Sequence, residues 1–299
     1  MYDVYIKKWE KYAYQRQVDP ISPPLNVAVN FLANLAETGS SYSAVATARS
    51  ALSSYVTLPG GEAFGSCAIV KRLMKGVFEC KPTFPKVCST WDVNIVLKEL
   101  ESWYPTEKLT LKELTLKLVM LIALCTGQRC QTLKALKITP KCMNLSDTKC
   151  VFIIDTLLKQ SRRGVHLAPI ELYKNDNPKV CVINTLKIYL DKTRDWRGDA
   201  SKHLILTLQA PHGCASTDTI ARWLRWTLAR AGVDTTQFTA HSTRSASTSA
   251  ARSLGVPIDN IMKAAGWSNV HTFKRYYQKE IKTDSSLGQA LMDCFLSKK

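Results

Sequence analysis

The feature that most constrains this chain is an interruption. Through about the first eighty positions, apolar residues recur at three- and four-residue intervals (Val27, Phe31, Leu35; Val45, Ala48, Leu52), the period of helices that bury one face. The pattern stops at CKPTFPKVCST, residues 80–90, which holds two prolines and no helical period. A chain broken there predicts a compact all-helical unit over 1–82, a linker over 83–90 and a larger domain over 91–299. Within the first unit, YIKKWEKYAYQ, PPLNVAVNFLANLAET, SYSAVATARSALSSYV and SCAIVKRLMKGVFE each read as a helix. Pro23-Pro24 and Ser40-Ser41 supply starts, and Gly39 and Gly60-Gly61 supply stops.

The second part opens with two more helices, TWDVNIVLKELESWY and TLKELTLKLVMLIALC. Its character then changes. KCVFIIDTLLKQ (149–160) and GVHLAPIELY (164–173) are rich in β-branched residues and flank a basic SRR turn, so they predict a strand pair. KHLILTL (202–208) reads as a third strand. Helices resume with STDTIARWLRWTLARAG, STRSASTSAARSLG and PIDNIMKAAGW. The expected fold is therefore mainly α, with a small antiparallel sheet in the second domain.

Charge narrows the partners. Lysine and arginine number 41 against 24 acidic residues, a net charge of +17, and a folded chain this basic points first to nucleic acid. Residues 1–88 hold ten basic and six acidic residues, so most of the excess lies in the second part. A membrane partner is disfavoured: the longest strongly apolar run, LVMLIALC (118–125), is far short of the roughly 20 residues that span a bilayer. The start, MYDVYIKKWEKY, lacks a signal-type apolar block, which predicts a nuclear or cytosolic and not a secreted protein. It begins inside a helical pattern, so a natural chain that extends further upstream is expected. Ten cysteines without a CxxC pair read as small buried hydrophobes, with no metal site expected.

Several short stretches could carry chemistry. In CTGQRCQTLKAL (125–136), Gly127 can end the preceding helix and leaves Arg129 at the mouth of the next, a position suited to a phosphate. LLKQSRR places Lys159 before a turn with Arg162 and Arg163, a basic hairpin able to grip DNA backbone. AHSTRSAS sets His241 and Arg244 three apart, a titratable group beside a fixed planar cation. AGWSNVHTFKRYYQK supplies an indole donor at Trp267 and then adjacent tyrosines, Tyr276 and Tyr277; His271, between the indole and the tyrosine pair, reads as a surface histidine. Taken singly, each reads more readily as an ordinary surface arginine, charged turn or capping histidine. Together they are the parts of metal-free phosphoryl transfer: cations for the non-bridging oxygens, an acid for the leaving oxygen and a hydroxyl nucleophile. No carboxylate cluster has a spacing suited to a two-metal nuclease.

In this order, TGQR…TL, LLKQSRRG, HSTR and GWSNVHTF…YY, the motifs resemble the tyrosine recombinase family, which includes Cre, lambda integrase and the Xer proteins. The surrounding text is most similar to recombinases of DIRS/Ngaro-type retrotransposons, and the similarity covers nearly the whole chain. The resemblance implies a SAM-like helical core-binding domain and an α+β catalytic domain closing as a clamp on double-stranded DNA. It implies site-specific strand cleavage and rejoining through a 3′-phosphotyrosyl link, without ATP, metal or other cofactor, for integration of a mobile element. Its active-site positions are Arg129, Lys159, His241, Arg244, Trp267 and one of the two tyrosines. Spacing in Cre and Xer points to Tyr276, nine after Trp267, whereas the retrotransposon branch points to Tyr277, ten after it, and Tyr277 is favoured. One position departs: many members carry an acid three residues after the first arginine, where this chain has Thr132. The tail SSLGQALMDCFLSKK (285–299) is amphipathic and in this family often docks on the next protomer, which implies dimers to tetramers on DNA. A non-catalytic DNA-binding protein and a type IB topoisomerase are the alternatives.

Overall fold

The structure is a computed structural model that describes residues 2–82, 89–159, 161, 164, 166–197, 202–267, 269–271, 273 and 279–281. The chain divides into two compact units, Met1–Lys86 and Val87–Lys299.

The first unit is helical, as its period predicts: α1 (Asp3–Tyr14), α2 (Leu25–Glu37), α3 (Tyr42–Tyr55) and α4 (Ala68–Cys80). Phe31, Leu35, Val45, Ala48 and Leu52 are buried together with Trp9, Phe64 and Val70. Trp9 packs edge-on against Phe31, and its indole N–H donates to the Pro20 carbonyl at 2.8 Å, so a large ring is buried with its polar atom satisfied. Ser41 caps α3 by accepting from the Ala44 N–H.

The second unit begins with β1 (Ser89–Thr90), then α5 (Val93–Ser102) and α6 (Leu111–Thr126). The last two residues of the expected linker are thus strand, and they pair in parallel with β5 (Glu280–Ile281) at the far end of the unit. Helix α6 starts in a capping box between Thr110 and Glu113. It is buried on every side from Leu114 to Leu124, which makes it the central helix of the main core. Around it run α7 (Cys130–Ala135), α8 (Val182–Lys192), α9 (Thr217–Arg230), α10 (Ser242–Ser253) and α11 (Ile258–Ala265). Among the described residues no helix is long and apolar enough to cross a membrane.

The sheet is small and antiparallel, in the order β2 (Met143–Leu145), β3 (Lys149–Phe152), β4 (Ile170–Tyr173). The predicted strand pair is therefore present but shorter than expected. Pro169 has no N–H to give the ladder just before β4. After Phe152 the chain turns away, with Asp155 drawn to Lys137 at 2.8 Å. The predicted third strand, 202–208, is not part of this sheet. Leu204, Ile205 and Leu206 are buried, but their backbone bonds go to Leu136 and to the return segment at Ala215. Met143–Leu145 takes the third place instead. Helix α8 was not expected from sequence. Its β-branched start hides a helical stripe of Val182, Ile183, Leu186 and Tyr189, all buried.

Candidate active site

Gly127 ends α6 in the left-handed region (φ +57°), which a side chain would disfavour, and so turns the chain sharply. Two consequences follow. The Gly127 carbonyl is aimed at α10, where it accepts from Arg244 Nη1 at 2.6 Å. Two residues on, Arg129 sits half-buried at the cap position of α7 with extended backbone. The Gln128 side chain ties the same turn to α11, donating to the Ala264 carbonyl at 2.6 Å.

Arg244 is 2% exposed, and a buried guanidinium needs compensation. Beyond the Gly127 carbonyl, its plane lies over the Trp267 indole, 3.9 Å from the ring centroid. Trp267 follows α11, which ends at left-handed Gly266, and its ring packs against fully buried Phe273. Trp267 thus serves as a platform for the arginine.

His241 caps α10 without a side-chain capping bond and keeps an exposed edge. Its pKa is held below the ordinary histidine value, first by burial of part of the ring and then by Arg244, Arg129, Lys159 and Lys279 in turn. Lys159 is exposed at the end of the segment after β3, and its backbone N–H donates to Gln131 Oε1 at 3.4 Å. The structure therefore brings Arg129, Lys159, His241, Arg244 and Trp267 together from four separate stretches. Arg129, Gln131, His241 and Arg244 line a cleft of about 610 Å³ together with Arg222 and Arg225 of α9. A partly buried imidazole among clustered cations, beside an open cleft, is an arrangement suited to an anion.

Thr132, the departure noted above, is buried in α7, and its hydroxyl finds no hydrogen-bond partner among the described residues. His271 is exposed, as expected. Tyr276, Tyr277, Arg162, Arg163 and the tail 285–299 lie outside the described residues. Sequence reasoning missed Lys279, Arg222 and Arg225. Lys279 is anchored by its N–H to Ser249 Oγ at 3.0 Å, just before β5. For the two α9 arginines the signal was present: Ile220, Leu224 and Leu228 face the core, which leaves Arg222 and Arg225 on another face.

A model of the phage integrase family matches residues 95–282, more than half of the chain. Among solved structures, the chain is similar to the XerH site-specific recombinase bound to palindromic difH substrate in a post-cleavage complex. That match has a TM-score of 0.60 and 13% identity over 100% of this chain and 79% of that one. It is similar to a lambda integrase dimer bound to a COC′ core site (TM-score 0.51, 18% identity, 93% and 71% of the two chains). It also resembles the Tn1549 transposon integrase in complex with circular intermediate DNA (TM-score 0.52, 14% identity, 90% and 84%). At these identities the likeness is one of fold. No curated protein matches by sequence.

Proposed function

The chain belongs to the phage integrase family, the tyrosine recombinases, and from that premise we propose that it cuts and rejoins duplex DNA at specific sites to integrate a mobile element. The observation that carries this reading is the placement of Arg244, pinned between the Gly127 carbonyl and the Trp267 ring beside the cleft that Arg129 and His241 share.

In this reading Arg129 and Arg244 hold the two non-bridging oxygens of the scissile phosphate and offset the charge that builds on them. Tyr277 is the nucleophile, and Tyr276 packs. As the tyrosine oxygen bonds to phosphorus, the phosphorus–O5′ bond breaks. The tyrosine proton leaves to a base, and Lys159 gives a proton to the departing 5′ oxygen. His241, whose neutral form is favoured by burial and then by the nearby cations, accepts one hydrogen bond and donates another at the phosphate in that form. Because the phosphodiester is exchanged for a phosphotyrosyl ester, the 5′-hydroxyl of a partner strand can reverse the step without an external energy source. Arg162 and Arg163 contact DNA backbone, and segment 285–299 joins protomers on the DNA.

A nicked suicide duplex carrying a candidate element end tests the reading. The expected result is a covalent adduct that ligates to a second duplex, lost in Tyr277→Phe and kept in Tyr276→Phe. Adduct with relaxation alone would point to a topoisomerase, and binding without adduct to a DNA-holding protein. Adduct formation by Tyr277→Phe but not Tyr276→Phe would reverse the assignment of the tyrosines.

A further inference from the structure

Trp91 follows β1 and does not line the cleft, yet it reaches the turn that presents His241. Its indole N–H donates to Ser242 Oγ at 2.9 Å. Ser242 is the first residue of α10 and the chain neighbour of His241, and its own hydroxyl donates to the Thr239 carbonyl at 2.7 Å. The Trp91–Ser242–Thr239 chain of hydrogen bonds is part of what holds the turn that carries His241 in place. The anchor is firm: Trp91 is 3% exposed and belongs to the main core.

The same short stretch has a second attachment. Thr90, next to Trp91, pairs with Ile281 in the parallel β1–β5 ladder, and Ser89 pairs with Glu280. Residues 280 and 281 come directly after Lys279, which itself is tied to Ser249 of α10. Residues 89–91 thus grip both the turn before α10 and the chain that leaves the tyrosine pair.

We propose that Trp91 is a positioning residue that sets His241 through Ser242, in register with the strand that fixes the exit of the tyrosine-bearing segment. The proposal rests on the recombinase reading above. Nothing in it requires Trp91 to touch DNA.

The test uses Trp91→Phe, which keeps an aromatic ring but loses the N–H, and Ser242→Ala, which removes the acceptor with little change of volume. Both are compared with the double variant in single-turnover cleavage of the nicked duplex, with DNA affinity and unfolding measured alongside. Each single variant is expected to slow adduct formation about five-fold, the worth of roughly one hydrogen bond. DNA affinity should be unchanged, the double variant no slower than the slower single, and the pH–rate profile displaced toward the ordinary histidine range. Unchanged rates, losses that multiply in the double variant, or a loss that tracks unfolding without displacing the pH profile would each overturn the proposal. If the wild-type protein forms no adduct, the recombinase reading fails on its own. The positioning proposal is then decided by the His241 imidazole titration followed by NMR, which Trp91→Phe should raise and which an unchanged value would refute.

Discussion

Replacing Gly127 by alanine tests the geometry on which the site turns. The residue sits at φ +57° and ψ 22°, where an L-residue costs about 1–2 kcal/mol. Its new Cβ would lie 3.1 Å from Thr248 Cγ2 and 3.6 Å from Ala265 Cβ, so one neighbour must give by a few tenths of an ångström. Thr248 is poorly placed to move, because its hydroxyl donates to the Arg244 carbonyl at 2.8 Å. The strain therefore passes to α10, and with it to the guanidinium that the Gly127 carbonyl holds. We expect Gly127→Ala to lower unfolding free energy in urea by about 1–2 kcal/mol from the backbone, with the steric contact adding to it. Adduct formation should fall about ten-fold for each 1.4 kcal/mol by which Arg244 loses its hold on the transition state. Thr248→Ser, alone and in the alanine background, completes a double-mutant cycle. It should recover the steric part and leave the backbone part. A Gly127→Ala protein that unfolds at the wild-type urea concentration would refute the left-handed argument. A cycle with no coupling would refute the contact with Thr248.

Three further outcomes follow from the same geometry. Lys117 is fully buried in α6, donating to the Trp103 carbonyl and Thr106 Oγ1, and burial lowers its pKa to about 8 from 10.5. The unfolded chain then binds the extra proton between those values, so stability should rise with pH across that window, by at most about 3 kcal/mol, and Lys117→Met should abolish the slope in urea titrations. His241 has the same sign at lower pH: burial first and then the nearby cations depress it, so stability is lost as pH falls below about 6.5. A bound phosphate would offset those cations and raise it, so DNA binding should take up protons near pH 6 and show this by calorimetry in buffers of differing ionisation heat, whereas Lys279→Ala should raise it without DNA. Trp267→Ala should slow adduct formation by about two- to thirty-fold, the worth of a cation–π contact of roughly 0.5–2 kcal/mol, and Trp267→Phe by less. Equal rates for the two would show that the ring face does not support Arg244.

What could be read from the sequence was what lies close along the chain. The all-round apolar text of α6, the stop at Gly127 and the stripes of α1 to α4 are local patterns, and burial follows them directly. The candidate site was legible for a related reason: each part stands in a short stretch with its own punctuation, a glycine before Arg129, a turn after Lys159, a helix start at His241. Errors arose where local preference and tertiary demand diverge. Val182 and Ile183 favour strand, yet the stripe they begin packs on α6, and burial outweighs propensity. Leu204–Leu206 have strand chemistry, but the loop after α7 and the segment near Ala215 take their backbone bonds. The positions beyond reach were those whose partner is distant in sequence. Lys279 matters because Ser249 holds its backbone near His241, and Trp91 because its N–H meets a serine 151 residues away. Neither residue type is unusual in its own surroundings. Their roles exist only once α6 has been buried and the two ends of the second unit have met in the β1–β5 ladder.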